Sequence, residues 1–159
     1  MMIIFKIYSL IIVYFFSLSL FNIAHARCNL IDVLDKSALK EKDLTTCNLQ
    51  YANFIGANLE DANLFGAVLN DANLEGANLR GASLRSAIML NTNLAGADLN
   101  AANLSNSIII LTNLAGANLS SADLTGSKLT AVDLEGAIFE GATWVDGRTC
   151  AKKSIGRCL

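Results

Sequence analysis

From Leu44 to Trp144 an apolar residue returns at every fifth position without a missed step. The centres are Leu44, Leu49, Phe54, Leu59, Leu64, Leu69, Leu74, Leu79, Leu84, Met89, Leu94, Leu99, Leu104, Ile109, Leu114, Leu119, Leu124, Leu129, Leu134, Phe139 and Trp144. Two positions before each centre stands a small side chain, mostly alanine, with Thr92, Ser107, Thr112 and Ser127 as polar variants and Lys42 and Val132 as exceptions. A step of five suits neither regular element. On a helix it turns each centre by about 140° relative to the last, and on a strand it alternates faces. All centres share one side only if a short extended piece is followed by a corner and the chain closes on itself. In the extended piece the centre and the small residue point inward together, and the residue between them points out.

The corner falls on the two residues after each centre. Gly56, Gly66, Gly76, Gly81, Gly96, Gly116, Gly126, Gly136 and Gly141 all take the second of these positions, where a positive φ or close packing is easiest without a Cβ. Runs such as Ala57-Asn58-Leu59-Glu60-Asp61-Ala62-Asn63-Leu64 resemble the pentapeptide-repeat family, whose unit is Ala-(Asp/Asn)-Leu-x-x. The resemblance implies an all-β solenoid, a right-handed quadrilateral β-helix with four units per coil. About five coils at strand spacing give a rod of roughly 24 Å, filled by stacked Leu and Ala.

The N-terminus carries a different signal. Lys6 precedes an almost wholly apolar run from Ile7 to Phe21, followed by Ala24-His25-Ala26, a small-x-small cleavage pattern. Residues 1–26 are therefore expected to be a secretory signal and Arg27 the mature start, with an uncleaved membrane anchor as the alternative. Periplasmic or secreted localisation follows in the first case. A lipoprotein is disfavoured, because Arg27 precedes Cys28 where a small residue would be required. The expected organisation is completed by an N-terminal cap over 27–46, the repeat over 47–146 and a C-terminal capping loop over 147–159. Leu30, Ile31, Leu34 and Ala38 fall at helical spacing in the cap, although Leu34 and Leu39 also continue the five-residue step.

The four cysteines, Cys28, Cys47, Cys150 and Cys158, flank the repeat. On the rod that the resemblance implies, its two ends lie too far apart for a bridge. The expected disulfides are then Cys28 with Cys47 and Cys150 with Cys158, each closing an end where a solenoid frays. The Trp144-Val145-Asp146-Gly147-Arg148-Thr149-Cys150 run also resembles the ending of secreted members of the family.

Charge and residue types exclude several functions. Residues 47–146 carry ten acidic and three basic side chains, the cap balances, and the tail from Gly147 adds four positive charges. The absence of histidine after His25 leaves no Ser/His or Cys/His nucleophile, and the cysteine spacing does not suit a metal. Neither an enzyme, a metal, a cofactor nor a small-molecule substrate is expected. A basic patch for nucleic acid is lacking too. Cytoplasmic family members that protect gyrase mimic the charge of DNA. Net minus seven over these hundred residues is far sparser than a duplex, with one charge per about 1.7 Å. A DNA-mimicking gyrase interactor is therefore the alternative, not the preferred reading.

Folding the sequence into coils of twenty gives the sharpest clue. On the face centred on Leu69, Met89 and Ile109, the outward residues read Asn48, Val68, Ile88, Ile108 and Lys128, where other faces present mainly Asn, Asp, Ser or Thr. The corners add Leu90, Ile110 and Leu111, framed by Tyr51, Asn70, Asp71 and Asn91. Six large apolar residues, Val68, Ile88, Leu90, Ile108, Ile110 and Leu111, are expected to converge on one exposed area. Such an area marks an interaction surface, although β-branched residues also suit any strand surface. The expected function is an exported, non-enzymatic scaffold that binds a protein partner or a second copy of itself.

Overall fold

The computed structural model describes residues 39–159. The signal segment, Cys28 and most of the expected cap lie outside them. Throughout the repeat, each residue stands over the one twenty positions later. Parallel single-residue pairs such as Asp43 with Asn63, Asn53 with Asn73 and Asn58 with Asn78 build four outward ladders. We call the faces first to fourth, after the ladders that begin at Asp43, Asn48, Asn53 and Asn58. On the second face pairing extends into a parallel sheet of three short strands, β1 (Ile88–Leu90), β2 (Ile108–Ile110) and β3 (Lys128–Thr130), in that order.

The five-residue step produces this coil through two hydrogen bonds. One runs between coils, as from the Leu59 amide to the Asn78 carbonyl at 2.7 Å. The other closes the corner: the amide of the small residue donates to the carbonyl of the centre three positions earlier, as Ala57 does to Phe54 at 2.9 Å. The second corner residue is thereby held in the left-handed region. Gly81 has φ 65° and Gly126 has φ 69°, and at these two positions a Cβ would also run into the Asp61 and Asn106 side chains of the preceding coil. Inside, Leu59, Leu64, Leu69, Leu74, Leu79 and Leu84 are fully buried, as are the alanines two positions before them. Burial of each such leucine contributes about 2 kcal/mol.

Asn and Asp occupy the outward position for a local reason. Every Asn or Asp there between Asp43 and Asp133 accepts, through Oδ1, the amide two residues later, at 2.9–3.2 Å. The side chain thus satisfies a corner N–H that the coil itself leaves open. Some also bond along the ladder, as Asn93 Nδ2 does to Asn73 Oδ1 at 3.2 Å and Asn118 Nδ2 to Asp98 Oδ1 at 3.0 Å.

The C-terminal end carries the expected disulfide, and most of the expected N-terminal cap lies outside the described residues. In the described part of the expected cap, residues 39–46 already belong to the coil: Leu39 is buried and Leu44 donates to Asn63 at 2.7 Å. Leu39 sits five residues before Leu44 and fills the same kind of interior position, while Leu30, Ile31, Leu34 and Ala38, which carry the helical spacing, lie outside the described residues. Cys47 is buried and disulfide-bonded; its expected partner, Cys28, lies outside the described residues. At the other end Cys150 and Cys158 are bonded, with Cα atoms 4.9 Å apart. The chain turns back after Trp144 and pairs antiparallel with the last coil, Thr149 with Thr143 and Ile155 with Ile138. Trp144 is half-buried, not enclosed, and meets Phe139 edge-to-face at 5.2 Å.

Candidate protein-binding face

The six apolar residues singled out by the twenty-residue register lie together on the second face. Val68 pairs with Ile88, Ile88 with Ile108, and Leu90 with Ile110. Leu111 follows β2 directly. Strand alternation sends Met89 and Ile109 fully inward and leaves Ile88, Leu90, Ile108 and Ile110 outward. Leu90, Ile108 and Leu111 are 41%, 39% and 57% exposed, and Val68, Ile88 and Ile110 are half-buried by their neighbours. Tyr51, at 75% exposure, stands in the same corner column as Asp71, Asn91 and Leu111. The polar frame is ordered: Asn91 Nδ2 donates to Asp71 Oδ1 at 2.8 Å, and the Leu90 amide donates to Asn70 Oδ1 at 3.1 Å.

This face gives up, on successive rungs, what most outward positions of the other faces keep. Val68, Ile88 and Ile108 have no side-chain acceptor, so on three successive rungs the outward residue cannot bond the amide two residues later; at Leu90 that amide donates instead to Asn70 Oδ1 of the preceding coil. A hydrogen bond of this kind contributes on the order of 1 kcal/mol. Leu111 adds a second cost. It holds φ 54° at a corner where glycine is the easy residue, which for a bulky side chain costs about 1–2 kcal/mol. The apolar ladder is therefore not what the coil alone favours.

The corner itself is reshaped here. From Cys47 to Ala142 the turn bond is present at 2.9–3.1 Å everywhere except at Thr92, Thr112 and Val132. These three exits from the second face are the only β-branched residues at the small-residue position in the whole repeat. Branching at Cβ favours extended backbone, so the chain stays in strand one residue longer and β1, β2 and β3 form. The threonine hydroxyls donate instead to centre carbonyls of the preceding coil: Thr92 Oγ1 to Leu69 at 2.8 Å and Thr112 Oγ1 to Met89 at 2.8 Å. The opposite flank is less well satisfied, since the buried Ser107 and Ser127 hydroxyls have no partner among the described residues. A flatter, three-residue strand surface carries the apolar patch as a result.

Sequence reasoning missed two other exposed apolar contacts. Arg85 lies over the Phe65 ring at 5.9 Å on a first-face corner. Ile138 and Ile155, 39% and 58% exposed, face each other where the tail meets the fourth face. Ile138 was visible as the one apolar residue in a ladder of Asn58, Asn78, Asp98 and Asn118, whereas Ile155 lies in a tail without periodicity. Among the described residues, no three His, Cys, Asp or Glu side chains cluster as metal ligands, and no helix is long and apolar enough to cross a membrane.

A model of the family described as pentapeptide repeats matches eight copies between residues 33 and 143. Among solved structures, a pentapeptide repeat protein from the thylakoid lumen of Arabidopsis thaliana is 27% identical, with TM-score 0.50, over 70% of this chain and 74% of its own. The pentapeptide repeat protein Rfr23 from the cyanobacterium Cyanothece 51142 is 35% identical over 64% of this chain and 63% of its own, with TM-score 0.38. No curated protein sequence matches this chain.

Proposed function

Since the chain belongs to the pentapeptide repeat family, whose right-handed quadrilateral β-helix buries its regular side chains and leaves only its outer faces for recognition, we propose that it is a non-enzymatic binding scaffold working through its second face. The partner surface consists of Val68, Ile88, Leu90, Ile108, Ile110 and Leu111. The observation that carries this reading is the local stability sacrificed there. The outward Val68, Ile88 and Ile108 cannot make the corner bond that Asn and Asp make elsewhere, and Leu111 takes a left-handed backbone conformation while remaining mostly exposed. Exposed apolar area assembled at such a cost indicates selection for contact.

Export completes the reading. The apolar run from Ile7 to Phe21, the Ala24-His25-Ala26 site and the disulfide-bonded state of Cys47, Cys150 and Cys158 fit a protein that works in an oxidising compartment, periplasmic or extracellular. The alternative, a DNA-mimicking gyrase interactor, needs a continuous acidic stripe. The outward ladders are rich in amides instead, as in Asn58, Asn78, Asp98 and Asn118, which favours the first reading.

A photo-reactive residue placed at Ile110 in the native host tests the surface. An adduct should form at 110, disappear in the Ile88→Asp background, and be absent when the probe replaces Ser120 on the fourth face. Adducts at 110 and 120 alike, or none at 110, would exclude this face as the binding surface.

A further inference from the structure

We propose that the C-terminal loop is a docking site for an anionic lipid surface, on which the coil stands by its tail. The tail runs back over the fourth and first faces of the last coil, where Phe139 donates to Ser154 at 2.8 Å and Trp144 to Arg148 at 2.8 Å; among the described residues it makes no such backbone bond on the other two. The loop's inner side is taken by Cys150, Ser154 and Cys158, all buried, and the Cys150–Cys158 disulfide closes it. That spacing leaves Lys152, Lys153, Ile155, Arg157 and Leu159 exposed. Leu159 is folded back into the same cluster, its amide donating to Ser154 Oγ and its carbonyl accepting from Ala151, both at 3.1 Å. Ile155 pairs with Ile138, so an apolar pair ends the fourth face beside the basic side chains. Ile155 and Leu159 are each more than half exposed, and the proposed partner surface on the second face uses neither.

Charge and apolarity together identify the occupant. Residues 147–159 carry four basic side chains and no acidic one. Arg148 is paired with Asp146, whereas the ion pairs of the described residues involve none of Lys152, Lys153 and Arg157. Long basic side chains beside exposed aliphatic ones suit the boundary between headgroups and acyl chains. The ammonium and guanidinium groups meet lipid phosphates there, while Ile155 and Leu159 enter the apolar layer. A nucleic acid fits poorly. Three such cations in one loop are few for a duplex, and a duplex longer than the loop would run beside residues 47–146, with ten acidic against three basic side chains. The same imbalance sets the orientation on a membrane. An anionic surface attracts the tail and repels the coil, which therefore stands away from it. Attachment through one small basic and apolar loop is peripheral and reversible. It does not involve the second face.

The test is co-sedimentation of the oxidised chain from Arg27 with vesicles. This chain omits the apolar run that would bind lipid by itself and keeps the compact unit Asp32–Leu159 whole. It should bind vesicles of equal parts phosphatidylcholine and phosphatidylglycerol, release as salt rises, and ignore phosphatidylcholine alone. Lys152→Gln with Lys153→Gln should weaken binding on the order of 30-fold, and Ile155→Ser with Leu159→Ser on the order of tenfold. Ile88→Asp with Ile110→Asp should leave it unchanged. Binding that ignores lipid charge, that survives either tail change, or that is lost with Ile88→Asp and Ile110→Asp overturns the proposal. So does capture on immobilised polyglutamate without vesicle binding, which would assign the tail to an acidic protein. If a tail variant fails to fold, amide exchange of the wild type decides. Exchange within residues 150–159 must slow on the anionic vesicles, and unchanged exchange there overturns the proposal.

Discussion

The second and fourth faces of this coil are built on the same period and differ in almost everything they show to solvent. The fourth face presents Asn58, Asn78, Asp98 and Asn118. Each side chain bonds the following corner amide, and ladder bonds join Asn58 to Asn78 and Asp98 to Asn118. Its corners close with a turn bond every time, as at Ala62, Ala82, Ala102 and Ala122. The second face presents Val68, Ile88 and Ile108, loses those side-chain bonds, and opens its corners at Thr92, Thr112 and Val132. One face is finished as a surface, and the other is left unfinished. The interior does not cause the difference, since Met89 and Ile109 are buried as completely as Leu79 and Leu99.

Six substitutions test this contrast. Ile109→Ala removes the inward rung of β2 and should cost about 2–5 kcal/mol, read by chemical denaturation. Leu99→Ala should cost a similar amount, because the two faces share one core. A much smaller loss at Ile109 would mean that the second face is loosely packed inside as well as bare outside. Thr112→Val keeps the branching but removes the Oγ1 bond to the Met89 carbonyl. It should destabilise by about 1 kcal/mol by removing a buried hydrogen bond, with little change in affinity for a partner. Leu111→Gly relieves the left-handed strain and should raise stability by about 1 kcal/mol, visible as a melting shift of a few degrees, while weakening any contact made by the face. Unchanged stability would remove one of the two arguments for selection at this site. Ile108→Asn gives β2 a polar outward residue like those of the fourth face and should change stability by only a few tenths of a kcal/mol, while weakening any contact made by the face. The same exchange reversed, Asn118→Ile, should lose a comparable amount.

The period in the sequence was enough to place the coil, its inward and outward residues and the twenty-residue register, because every step of that inference is local and repeats. The six apolar residues followed, since register alone decides which side chains share a face. The opened corners were legible in part. Thr92, Thr112 and Val132 stood out as the β-branched residues at the small position, but their effect on the turn depends on a carbonyl twenty-three residues back, as in the bond from Thr92 to Leu69. The tail was illegible beyond its disulfide. Cys150 to Leu159 has no period, so nothing local indicates that it would run back over two faces and leave the others open.

Because a residue's face is set by its count along the chain, this surface can be edited by arithmetic. Removing Asn73–Ala77 would carry Ile88 and Ile108 round to the neighbouring first face and strand Val68 alone, although every unit would still match the repeat. Removing Asn73–Thr92 would keep all remaining residues on their faces and shorten the apolar ladder by the single rung at Ile88. Insertions and deletions of twenty therefore conserve recognition and vary its length, whereas those of five conserve the fold and rewrite what it presents. A lineage built on this coil can change partners without changing a single side chain.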